Sequence, residues 1–265
     1  MLSLALRDEE RRLWDVVTWW AGSGVRLLSV QRIKKLAREY PPAVQERLAE
    51  FASYAVQSGD KRWRSLGATG EAEPGGREPR REKWFGEGPE LIEPAALLLR
   101  LRAGFGVGAK ADLLSFLLGV DGAWCSIRLI SAGTYYTPRA LSTAAGDMAR
   151  ARLVHASGNK PVQFRVNAKP WSDLLEIRRL APWRYWQPLY AFLMNTLAWV
   201  DSDEFQGGTD YLVSSKARDL VIGHRAGFTR NGIDVPRPED FKGEAYLTAF
   251  AGTLHTTARW LARSV

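Results

Sequence analysis

Cysteine, histidine and methionine are scarce in this chain, with one Cys, three His and three Met among 265 residues. A single cysteine, Cys125, excludes an intramolecular disulfide and suits a reducing compartment. Cys125 and the dispersed His155, His224 and His255 show neither zinc-ligand spacing nor a Cys–His nucleophile pair. Long apolar runs are also missing. The longest, "LYAFLMNTLAWV" (Leu189 to Val200), is interrupted by Asn195 and falls short of the roughly 20 residues of a membrane span. No leader pattern opens the chain, because Leu2 to Leu6 meets "RDEERR" at once. The sequence lacks G-x-S-x-G, G-x-x-x-x-G-K-[ST] and any paired-carboxylate signature. The expectation is a soluble cytoplasmic protein with no cofactor and no metal.

What is present is positive charge, +8 overall. It is unevenly spread. Residues 1–90 hold 16 basic and 14 acidic side chains, residues 91–180 hold 12 and 6, and residues 181–265 hold 9 and 9. The middle third therefore carries most of the excess, which favours polyanions or serves solubility.

Periodicity divides the chain into an N-terminal helical region (1–64), a linker or long loop (65–90), a central domain (91–180) and a C-terminal helical domain (181–265). In the first, "RDEERRLWDVVTWWAGSG" spaces Leu13, Val16, Val17 and Trp20 as a helix would. A second helix starts at a Ser29 cap and ends at Pro41-Pro42, and a third carries Val44, Leu48, Phe51 and Val56 on one side. Residues 65–90 have no hydrophobic period and are rich in Gly, Pro, Glu and Arg.

The glycines of "AGFGVGAKADLLSFLLG" (Ala103 to Gly119) invite a phosphate-loop reading. They follow a helical "AALLLRLRA" rather than a strand, and their G-x-G-x-G spacing matches no nucleotide fingerprint. They read as the joint between two helices. "KADLLSFLLG" then reads as a short amphipathic helix, and "WCSIRLISAGT" as a second helix capped by Ser126. "YTPRALSTAAGDMARARLV" is a third, with Thr137 as cap and Pro138 in its first turn. "LVHASGNKPVQFRVN" follows, where Val154 before and Val162, Phe164 and Val166 after an "SGNKP" turn give a β-hairpin signal. Three helices and a two-stranded hairpin are the order of a winged helix-turn-helix domain, here within a mainly α chain.

Single positions carry the resemblance further. Ile130-Ser131, "TYYT" (Thr134 to Thr137), then Leu141, Ala145, Met148 and Ala151 on one face ahead of Leu153-Val154, resemble the I-A, T-G-Y-S and A-G-L-V pattern of MarR-, GntR- and ArsR-like regulators. Tyr135 replaces the usual turn glycine, which predicts a wider turn, and Arg152 replaces the glycine before the wing. The resemblance covers residues 94–175 and is specific to a domain type. It implies a dimeric bacterial transcriptional regulator at the nucleoid, repressor in preference to activator, with duplex DNA as partner.

A recognition helix over 137–152 then offers the major groove Arg139, Ser142, Thr143, Gly146 and Arg150. Tyr135, Tyr136 and Thr137 stand where phosphate oxygens are met, with Tyr136 equally suited to the core. Asn159 and Lys160 at the tip of the 153–167 wing, Arg165 on its second strand and Lys110 at the first helix start are the further backbone contacts. Trp183, Tyr185, Trp186, Tyr190, Phe192 and Trp199 form an aromatic group suited to a core, a homodimer interface or an effector pocket, and the pair Trp19-Trp20 has the same three alternatives.

Two other readings stay open. Arg218 and His224 have the R-x5-H spacing of helical HEPN-type ribonucleases, in which the pair would hold a phosphodiester and move a proton. A winged helix also serves as a protein-interaction scaffold. Asp201, Asp203, Glu204 and Asp210 lack EF-hand spacing and read as a solvated loop.

Overall fold

The computed structural model describes residues 1–67 and 91–264, so the expected linker lies outside the description from residue 68 onward. The chain is mainly helical. Helices α1 (Leu2–Ala5), α2 (Arg11–Trp19), α3 (Val30–Ala37) and α4 (Pro42–Gln57) come first, followed by α5 (Leu97–Phe105) and α6 (Ala109–Gly119). Strand β1 (Cys125–Ser126) leads into α7 (Ile127–Thr134) and α8 (Pro138–Arg150), then β2 (His155–Ala156), β3 (Gln163–Arg165) and α9 (Ala168–Leu174). Helices α10 (Trp186–Val200), α11 (Asp203–Gln206), α12 (Asp210–Arg230) and α13 (Tyr246–Ser264) complete it. Among the described residues, no helix is long and apolar enough to cross a membrane.

Two compact units result. A central unit comprises residues 6–37 and 46–183, and a terminal unit comprises 1–5, 38–45 and 184–265. Composition placed the N-terminal helices in a region of their own, whereas α2, α3 and most of α4 share the central unit with α5–α9. Pro41-Pro42, expected to end a helix, instead opens one. Helix α3 already stops at Ala37, and Pro42 is the first residue of α4, where a fixed φ and a missing N–H cost nothing. The glycines join α5 to α6: Gly106 takes φ 79 just past α5, and Gly108 is the N-cap of α6.

Helix α6 corrects another expectation. It is not amphipathic, because α5, α7 and α8 all pack on it and every residue from Ala111 to Leu118 is buried. A helix surrounded by others is apolar all round. Leu113, Leu114, Leu117 and Leu118 are each at most 1% exposed, and burying one such side chain contributes about 1.5–3 kcal/mol. The one charge on this helix inside the core, Asp112, is held by two arginines. Arg102 pairs with it through Nε (2.8 Å) and Nη2 (2.7 Å), and Arg32 of α3 adds a contact at 2.6 Å.

Capping sets the next two helices. Ser126 Oγ accepts from Leu129 N–H at 3.2 Å and Thr137 Oγ1 from Ala140 N–H at 3.3 Å, each satisfying a donor that the helix start leaves open. The turn between α7 and α8 is not widened. Tyr135 takes the left-handed conformation itself (φ 63, ψ 13), and its N–H closes on Ser131 O at 2.9 Å. Arg152 does the same at φ 59. Ala151, expected on the core face, is exposed, because α8 ends at Arg150 and Ala151 is its C-cap.

The three strands form an antiparallel sheet in the order β1-β3-β2, with Cys125 opposite Phe164 and His155 opposite Arg165. Phe164 and Val166 are buried beneath it, while Val162 lies outside β3 and is 43% exposed. Trp183, at the end of the central unit, donates its N–H to Gly119 O at 2.7 Å and packs edge-on against Phe116 at 5.1 Å.

In the terminal unit α10, α12 and α13 enclose a core that includes Leu189, Phe192, Val221, Phe228, Tyr246 and Phe250. Phe192 and Trp199 belong to that core, and Trp186 stacks on Tyr190 at 5.8 Å. The aromatic residues expected as one group are thus divided, with Trp183 in the central unit.

Candidate nucleic-acid interface

The face of α8 away from the core carries the side chains expected to read bases. Leu141, Ala144, Ala145 and Met148 are buried against the unit, which leaves Arg139, Ser142, Thr143 and Arg150 exposed along the other side. Ser142 and Thr143 are three and four residues from Arg139 and Arg150 lies two turns beyond Thr143, so the four form one stripe. Thr143 Oγ1 donates back to Arg139 O at 3.2 Å, and Gly146 has open space around it.

Arg139 and Arg150 differ in their surroundings. Arg150 pairs with Asp147, and the same carboxylate takes Lys110 from the start of α6 at 3.1 Å. Hydrogen bonds from Lys110 and then Arg150 hold the Asp147 carboxyl below the usual carboxylate range. Two of the expected phosphate or base contacts therefore share one counter-charge. Arg139 has no ion-pair partner among the described residues, nor has Lys160 at the hairpin tip. Asn159 beside it is exposed, its carbonyl accepting from Ser157 Oγ at 3.4 Å. Arg165 lies against the Trp124 ring at 4.6 Å, so the outer sheet face holds its guanidinium.

The central positive balance shrinks once partners are counted. Arg102 is buried with Asp112, Arg100 donates to Leu175 O and Lys169 pairs with Asp173 at 3.2 Å. The basic side chains left exposed without an ion-pair partner among the described residues include Arg128, Arg139, Arg152 and Lys160. Arg128, on the exposed side of α7, was missed in the sequence, although counting two residues on from the Ser126 cap points to it.

The turn residues are partly enclosed. Thr137 is exposed and spent on its cap, whereas Tyr135 and Tyr136 are half-buried. Tyr136 OH reaches Ser29 Oγ at 3.5 Å, and its carbonyl accepts from Ser131 Oγ at 2.6 Å. Lys35 Nζ donates to Tyr135 O at 3.4 Å. Nothing local in the sequence signals this approach, because the two residues are 100 positions apart.

The R-x5-H pair is engaged elsewhere. Arg218 donates to Pro238 O and Gly243 O and lies over the Tyr246 ring at 4.7 Å. His224 Nδ1 is 2.8 Å from Leu220 O. Six residues on a helix turn through about 600°, which puts the two side chains on different faces. A cleft of about 400 Å³ in the terminal unit is lined by Val221, Arg225, Phe228, Ile233, Asp234 and Arg237 among others, and none of the expected aromatic group lines it. Among the described residues, no group of three or more His, Cys, Asp or Glu could hold a metal ion.

Comparison of the chain with family models, with curated proteins and with solved structures found no match.

Proposed function

We propose that the central segment is a winged helix-turn-helix domain and that the chain is a sequence-specific double-stranded-DNA-binding regulator of transcription, acting as a homodimer. The observation that carries this reading is the exposed stripe Arg139, Ser142 and Thr143 on the first turns of α8, directly after the capped turn. The order α6, β1, α7, α8, β2, β3 and the pairing of β1 with β3 support it. In the major groove Arg139 donates to guanine O6 and N7, while Ser142 and Thr143 serve adjacent bases and the small Gly146 lets the helix approach. Lys160 and Asn159 follow the backbone from the hairpin tip. A twofold dimer reads half-sites about 34 Å apart.

The test is binding of the purified chain to duplexes selected from a random library, at two salt concentrations. Arg139→Ala is expected to lose about 1–3 kcal/mol on the selected sequence and little on random DNA. Equal weak binding of all sequences, abolished by modest salt, would reduce the interface to a basic surface.

A further inference from the structure

The N-terminal helix α3 lies within the central unit and reaches the turn that launches α8. Three ties fix it there. Arg32 pairs with Asp112 on α6 at 2.6 Å, Ser29 meets Tyr136 OH at 3.5 Å, and Lys35 Nζ meets Tyr135 O at 3.4 Å. Gln31, Lys34 and Lys35 are exposed on a common face, being three and four residues apart. An ammonium has three donors, of which Lys35 uses one on the Tyr135 carbonyl and turns the others to solvent. Tyr135 and Thr137 flank the position where a duplex presents phosphate oxygens to the start of a recognition helix.

We infer that α3 is part of the DNA interface, a second phosphate clamp in which Lys35 and Lys34 grip the backbone beside the α7–α8 turn. This rests on the reading of α8 as a recognition helix and extends it. The clamp contacts phosphates only, so it adds affinity without sequence preference. Its charges come from a part of the chain outside the three helices α6–α8 and the hairpin that follows them.

The experiment measures binding of the full chain to the selected duplex and to a random one across a salt series. It compares the wild type, Arg139→Ala, Lys34→Ala and the double variant Lys34→Ala/Lys35→Gln. Glutamine removes the charge and keeps a side-chain donor one bond shorter than the ammonium, and Lys34→Ala, which breaks no tie, separates lost charge from a lost contact to the Tyr135 carbonyl. Lys34 is exposed with no partner among the described residues, which makes Lys34→Ala a test that leaves the fold alone. Each lost phosphate contact is expected to flatten the slope of log K against log salt by about 0.9 and to weaken all sequences alike. Arg139→Ala instead lowers the ratio between selected and random DNA. A wild type that binds selectively, with lysine variants of unchanged slope, overturns the clamp and leaves the α8 reading standing. A wild type that binds no duplex overturns both.

Discussion

Removing the carboxylate of Asp112 is the sharpest test of how the central unit is held together. Asp112 is fully buried, Arg102 is 6% exposed and the Arg32 side chain 16%. Asp112→Asn keeps the shape but leaves two guanidiniums with no counter-charge, a loss of about 3–5 kcal/mol. The carboxylate also sits in the first turn of α6, where the helix dipole adds about 0.3–1 kcal/mol. Against a total stability of about 5–15 kcal/mol this is severe, and for a unit of this size it lowers the thermal midpoint by about 6–20 °C. Arg32→Met gives the contrast. Burial pushes the Arg32 guanidinium pKa down and outweighs the opposing pull of Asp112, and Arg32 Nε is buried without a partner among the described residues. Its loss still leaves Asp112 doubly bonded to Arg102. Arg32→Met is therefore expected to cost at most about 1 kcal/mol, in line with apolar replacement of buried ions. Urea denaturation followed by both tryptophan fluorescence and circular dichroism measures the two, with coincident curves required for a single free energy. Equal losses for Asp112→Asn and Arg32→Met would refute the reasoning.

In the terminal unit Tyr246 OH is buried with no hydrogen-bond partner among the described residues, so Tyr246→Phe is expected to hold or raise stability, by about 1 kcal/mol. Burial pushes the Tyr246 phenol up to about 12 from 10.0. The proton it retains in the folded state supports folding fully below pH 10.0, and that support is lost as pH rises through about 12. Denaturation midpoints of wild type and variant that stay parallel across this range count against it. In α7, a Cβ on Gly133 would stand 2.4 Å from Phe116 Cε2 and 3.2 Å from Trp183 Nε1. Phe116 is wholly buried and cannot swing aside, so Gly133→Ala is expected to cost about 1–3 kcal/mol by overpacking. An unchanged melting temperature would show that the α6–α7 contact yields.

The local parts of this fold were legible in the sequence, and the non-local parts were not. Ser126 and Thr137-Pro138 mark helix starts because a cap is a contact between residues three apart. Leu141, Ala145 and Met148 face inward as their spacing predicts, but Ala151 lies past the last helical turn and escapes the pattern. Leucine-rich α6 hid its all-round burial, since periodicity says nothing of how many neighbours a helix has. Tyr135 and Arg152 adopt a conformation that usually favours glycine, and each closes its turn by a backbone N–H bond, to Ser131 O and Ala149 O. The exposed stripe on α8 was legible from the same spacing. Its electrostatics were not, because Lys110 meets Asp147 across helices and Lys35 meets Tyr135 across 100 positions.

The carboxylate shared by Lys110 and Arg150 has a consequence for how such a surface would discriminate. On the proposed reading, Asp147 is a tethered decoy that occupies both cations before any duplex arrives. A phosphate must evict it, and the evicted carboxylate then gathers a cation from solution to replace the ones it lost. That uptake opposes the counterion release from DNA, so these two side chains add little to indiscriminate sticking. On that reading they would engage only where the neighbouring base contacts already hold the helix in place, turning an apparent weakness of the basic face into a filter against random sequence.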